Sequence, residues 1–165
     1  MNMNIIIASD NDSTLALWEA HLSPLAEVSF TKERAAHIEA DAVVIAGVYA
    51  FERYGGRPNT TAAQIVTNVT GDGLPGVVII PPSLPVILNS EKRPVVHPDY
   101  TEMSPAYYAI SHTLKVIDAL NAEGEQVVRR VIFSLPLLGM NNPRDASTPS
   151  SVRQAIEEHL TETDT

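Results

Sequence analysis

The sequence predicts a layered α/β or α+β domain in which helices flank a sheet. Three observations point there. Apolar runs of strand length recur along the chain, helical apolar stripes separate them, and no internal repeat or low-complexity tract interrupts the pattern. With 165 residues, 44% hydrophobic and 19% charged, the chain fits one domain with a substantial core. That domain is expected to cover residues 1–160, followed by a frayed tail at 161–165.

Residues 5–8 are an apolar run bounded by Ser9-Asp10-Asn11-Asp12 and read as a buried first strand. Leu15, Trp18 and Leu22 follow at helical spacing, with Asp12 or Ser13 as cap and Pro24 as stop. Residues 27–31 predict a second strand and 41–46 a third. The β-branched run at 43–45 suits a strand covered on both faces. Residues 47–57 are aromatic and glycine-rich with no sustained period. Pro58 with Asn59 or Thr60 then predicts a helix facing inward through Ala62, Ile65, Val66 and Val69 and stopping at Gly71. Residues 77–80 predict another strand, halted by Pro81-Pro82. Residues 83–100 read as a proline-rich excursion with extended pieces at 86–88 and at Val95-Val96. Ser104-Pro105 opens a helix whose stripe is Tyr107, Ile110, Leu114 and Ile117, ending near Gly124. Residues 127–134 predict the last strand and 135–147 a loop. Thr148-Pro149 then starts a closing helix with Val152, Ile156 and Leu160 inward.

A formal net charge of -9 argues against an extended electropositive surface for nucleic acid. It leaves a local pocket for one anionic ligand open, because backbone amides bind phosphate without basic side chains. The absence of cysteine excludes a disulfide scaffold, a thiolate zinc site and a cysteine nucleophile together. The start Met1-Asn2-Met3-Asn4 lacks the basic stretch of a signal peptide, and no apolar run approaches the roughly 20 residues that span a bilayer. A soluble, cytoplasmic protein without a membrane partner is expected. No Gly-x-Ser-x-Gly elbow surrounds Ser9, Ser134 or Ser147, and neither a Walker A nor a Gly-x-Gly-x-x-Gly motif occurs. His97, Asp99 and His112 invite a metal site but match no recurring zinc spacing, and His21, His37 and His159 have even less around them. Ordinary solvated or packed histidines are expected, with no metal and no cofactor.

In layered α/β sheets ligands sit where strand carboxyl ends feed loops. Two loops have that position here, 47–60 and 135–148. Gly55-Gly56, ahead of the predicted helix, fits either close backbone approach to an anion or a tight turn without a ligand. The run 134–143, with Gly139 in it, fits either a phosphate cradle or a surface turn with Gly139 at positive φ. Tyr49, Phe51 and Tyr54 either stack on a base or pack beneath the loop, and Trp18 reads as core.

In order, the chain presents the apolar run 43–46, Gly55-Gly56, the run 77–84 with Pro81-Pro82, Tyr107-Tyr108 and the run 133–141. Over about residues 28–160 this series resembles the macrodomain superfamily, specifically its divergent bacterial and phage macro-like branch. The resemblance implies a three-layer fold with a mixed sheet of about six strands between helices. It also implies ADP-ribose or a related NAD-derived nucleotide as ligand, the diphosphate lying between two glycine-containing loops. The binding residues carried over are Gly55 and Gly56 in the first loop and Leu138, Gly139, Met140 and Asn141 in the second. Gly47, Tyr49, Phe51 and Tyr54 flank them as contacts to ribose or base. Residues 45–49 hold no asparagine where active members carry one, the adenine-contacting acid falls near Glu33-Arg34, and Met140-Asn141 replaces Thr-Gly. A binding module is therefore expected first, and a hydrolase of ADP-ribosyl or ADP-ribose-phosphate bonds second, with Asp10, Asp12, Glu52 and Asn141 as its polar groups. A structural or interaction protein that has lost the ligand is the third reading. No catalytic residue is assigned.

Overall fold

The computed structural model describes residues 3–124 and 127–163. Strand β1 (Asn4–Ala8) leads into helix α1 (Asp12–Leu22) and strand β2 (Val28–Thr31). A single 3₁₀ turn (Ala35–His37) precedes strand β3 (Ala42–Val44) and the one-turn helix α2 (Gly47–Ala50). Strands β4 (Gln64–Thr67) and β5 (Val77–Ile80) come next, then the short pair β6 (Val86–Leu88) and β7 (Pro94–Val96). Helix α3 (Pro105–Glu123), strand β8 (Arg130–Ser134), the one-turn helix α4 (Leu135–Leu138) and helix α5 (Ser147–Thr163) complete the chain.

Six strands form one mixed sheet in the order β2-β1-β8-β3-β5-β4, while β6 and β7 make a separate two-stranded hairpin. Every pairing in the large sheet is parallel except β4 with β5. The period-2 alternation of strand side chains explains its two dry faces. Ile5, Ile7, Ala42, Val44, Val77, Ile79, Val131 and Phe133 point to one face, where Trp18, Leu114 and Ile156 of α1, α3 and α5 cover them. Ile6, Ala8, Val43, Val78, Ile80 and Ile132 point to the other, covered by Ile38, Ala50, Phe51, Tyr54 and Leu74. The domain is thus three-layered, with long helices on one side and short turns and loops on the other.

Local chemistry sets the element ends. The Asn11 side chain, rather than Asp12 or Ser13, caps α1 by accepting from the Thr14 amide at 3.0 Å. Ser104 caps α3 and Pro105 occupies its first turn, as expected, and Gly124 ends it at φ 77°. Asn121 links the end of α3 to Val128, donating to its carbonyl (3.0 Å) and accepting from its amide (2.7 Å).

Four expectations are corrected. The helix predicted from Pro58 is strand β4, so Gly55-Gly56 does not precede a helix. Asn59 accepts from the Thr61 and Ala62 amides in a turn, and Gln64 brackets Arg57, accepting from its amide at 3.0 Å and donating to its carbonyl at 2.5 Å. The Asn59 bonds would equally cap a helix; the Gln64 bracket on Arg57 and the pairing of the β-branched Ile65, Val66 and Thr67 with β5 are what make the segment a strand. The segments 47–57 and 135–147 contain α2 and α4 rather than loop alone. Helix α5 begins at Ser147 and continues through Thr163, so residues 161–163 are not a frayed tail; residues 164–165 lie outside the described part, as do Met1 and Asn2. Among the described residues no helix is long and apolar enough to cross a membrane.

Candidate functional site at the strand carboxyl ends

The chain leaves neighbouring parallel strands toward opposite faces at two places, and such divergence opens a crevice at the carboxyl edge. From β8 it runs to α5 on one face, and from adjacent β3 to α2 on the other. From β1 it runs to α1, and from adjacent β2 to the 3₁₀ turn on the opposite face. A cavity stands at each divergence.

The first, of about 680 Å³, is walled by Gly47 from the loop after β3 and by Leu138, Gly139 and Met140 from the loop after β8. Pro81 and Pro82 after β5, Ser104 and Pro105 at the start of α3, and Ser147 and Thr148 at the start of α5 complete it. Four of the sequence-predicted binding residues therefore share one cavity. Gly139 stands at φ 71° with nothing within 4 Å of where a Cβ would project. Gly47 is glycine for a different reason: a Cβ there would meet the Phe51 ring at 2.5 Å. Phe51 itself packs against the core on the short-element face. The carboxylate in this wall is Asp145, which accepts from the hydroxyls of Ser147 and Thr148, both at 2.6 Å, and from both their amides. Those hydroxyl and amide donors hold its carboxyl below the usual range.

Tyr49 and Tyr54 do not reach that cavity. They line a second hollow of about 400 Å³ with Glu52, Arg53 and Leu137. The Ala46 amide donates to the Leu137 carbonyl at 2.9 Å, stitching the two loops together between the hollows. Tyr54 donates to Asp72 at 2.5 Å. Burial pushes the Asp72 carboxyl up, but donors from Tyr54, Asn68, the Leu74 amide and Thr70 outweigh it and hold it at about 2. Burial first, and then the Asp72 charge, raise the Tyr54 phenol. Gly55 and Gly56 line none of the three cavities described here; Gly56 backs onto Gln64 and Ile80. Asn141 accepts from the Ser9 hydroxyl at 2.6 Å, which ties the loop after β8 to the loop after β1.

The third cavity, about 460 Å³, occupies the divergence of β1 and β2. Ser9, Asp10, Glu33, Arg34, Arg53 and Ser134 line it, together with Asp72. Arg34 and Arg53 were not singled out as binding residues by sequence; Glu33-Arg34 stood only as the neighbourhood of an adenine contact. The signal available was their place directly after β2 and α2. Among the hydrolase candidates, Asp12 pairs with Lys32 at 2.5 Å on the surface and Glu52 lies in the second hollow.

Two of the histidines, His97 and His112, join a run of aromatic contacts. The His97 ring meets Tyr100 edge-on, Tyr100 meets Tyr108, and Tyr108 lies 4.4 Å from His112. His112 is pushed below its ordinary value by burial and by Lys115. Among the described residues no three His, Asp or Glu side chains are grouped to hold a metal ion. No family model, curated protein or solved structure matches the chain.

Proposed function

We propose that this protein is a divergent macro-like binding module for ADP-ribose or a related NAD-derived nucleotide, its diphosphate set against the loops that carry Gly47 and Gly139. One observation carries the reading: those two loops, from different strands, wall the same 680 Å³ cavity into which α3 and α5 present their first turns. Asp145 and Ser104 already take up the Ser147, Thr148 and Tyr107 amides of the two helix starts, so a diphosphate there would draw on the helix dipoles and on the Gly47 and Gly139 loops rather than on free helix amides. The order of motifs along the chain supports the same assignment except at Gly55-Gly56, which precede strand β4 and not a helix. Binding is favoured over turnover because Asp145, the carboxylate in that wall, already has its oxygens engaged by Ser147 and Thr148 and is not free to position a water.

Calorimetric titration with ADP-ribose, NAD and cyclic ADP-ribose variants tests this. Saturable heat and a raised melting temperature with at least one of them are expected. No response to any at millimolar concentration overturns the reading.

A further inference from the structure

We propose that strand β4, the open edge of the six-stranded sheet, is a homodimer surface on which a second copy of this chain lays its own β4 antiparallel, about a two-fold axis at Val66.

Strand β4 has β5 as its one neighbour in the sheet, so its other side is an edge. The Asn68 amide donates to the Gly76 carbonyl at 2.8 Å, in line with the β4–β5 register. Opposite residues of an antiparallel pair alternate between those that exchange hydrogen bonds and those that do not. Gln64 and Val66 therefore bond toward β5, while the amides and carbonyls of Ile65 and Thr67 point out of the sheet. The side chains of Ile65 and Thr67 are exposed as well, and Val69, 86% exposed, extends the apolar surface beyond the strand.

Sheet edges are ordinarily guarded by charge, proline or a bulge. The opposite edge strand, β2, stands between Glu27 and Lys32, and β7 of the hairpin opens on Pro94 after Lys92-Arg93. Strand β4 has neither charge nor proline: no charged residue occurs from Pro58 to Gly71, and no proline from Asn59 to Gly71.

Charge names the occupant. A chain of net charge -9 repels its own copies, and along this neutral stretch two of them meet without setting like charges together. The ends of the strand are also opposite in sign. At one end the Gln64 side chain holds the backbone of Arg57, accepting from its amide at 3.0 Å. At the other, Asn68 donates to Asp72 at 2.9 Å. A two-fold axis at Val66 sets Gln64 across from the partner's Asn68, so the Arg57 end of each copy meets the Asp72 end of the other. The same axis sets Ile65 across from the partner's Thr67, where outward amides and carbonyls exchange hydrogen bonds and β-branched side chains pair. Such an interface is isologous and closes at the dimer. It is small, and belongs with weak, transient contacts.

The test is sedimentation of the whole chain from micromolar to millimolar concentration, for wild type, Thr67→Lys and Ser29→Lys. Both positions are exposed, and thermal melts confirm that the variants fold. Wild type should dimerise as concentration rises. Thr67→Lys should weaken the dimer at least about tenfold, the effect of a lysine on an edge, and Ser29→Lys, on the β2 edge, should leave it intact. Register is read separately in a chain that has no cysteine of its own. Oxidised Val66→Cys should give a cross-linked dimer, whereas Ile65→Cys should not, because its counterpart lies beyond the roughly 7 Å that a disulfide bridges. A monomer at every concentration overturns the proposal, as does a dimer that survives Thr67→Lys or is lost in Ser29→Lys.

Discussion

At the scale of single residues, Gly139 and Asp72 carry the sharpest expectations. Gly139 ends α4 in the left-handed region, and open space surrounds its missing side chain. A substitution therefore costs backbone strain rather than a clash. Gly139→Val is expected to lose about 1–3 kcal/mol of stability, and Gly139→Asn most of that less, because asparagine tolerates the left-handed conformation. Thermal melts of the two variants check the order. Asp72 is a linkage case. Its carboxyl sits at about 2 in the folded chain against an ordinary 3.8. The folded state thus prefers the ionised form, and the resulting stability is present above pH 4 and lost as pH falls through about 2. Asp72→Ala should destabilise the protein at pH 7, with the gap to wild type closing as urea melts are moved from about pH 4 toward pH 2.

Single elements show what the sequence held and what it withheld. Strands β1, β3, β5 and β8 announce themselves because both sheet faces are covered, leaving unbroken runs of Ile and Val. The start of α3 was equally plain from Ser104-Pro105, and Ser104→Ala should cost about 1 kcal/mol of stability by losing the cap to the Tyr107 amide. Strand β4 was misread because Ala62, Ile65, Val66 and Val69 fall at the i, i+3, i+4, i+7 spacing of a helical stripe, whereas in the strand the adjacent Ile65 and Val66 face opposite sides. Only the partner strand β5 and the Gln64 bracket on Arg57 mark the segment as a strand, and neither is local in the way a period is. The error propagated to Gly55-Gly56, whose proposed role leaned on the helix.

Across the whole molecule, topology assembles the site. Gly47 and Gly139 lie far apart in sequence, yet β3 and β8 are neighbours, so the loops that follow them meet. The strand ends were readable and hence so were these two loops. The cavity with Arg34 and Arg53 was not, because it depends on β1 standing between β2 and β8, and strand order leaves no periodic trace. Tyr49 and Tyr54 were expected beside the phosphate loops. The bond from the Ala46 amide to the Leu137 carbonyl divides the edge and puts them in a hollow of their own.

The hairpin of β6 and β7 has a consequence in time rather than in space. Val86, Ile87, Leu88, Val95 and Val96 are all exposed, and the two strands pair only with each other. A lone pair of strands is marginal in water, so its hydrogen bonds break in local openings far cheaper than global unfolding. In deuterated buffer the amides of Ile87 and Val95 should take up label orders of magnitude before those of Ile6 and Ile132 in the central strands. Val96 also borders the 680 Å³ cavity. A ligand resting there should slow the hairpin's uptake while leaving the central strands unchanged, so mass spectrometry of peptides spanning 84–97 would register occupancy as a delay.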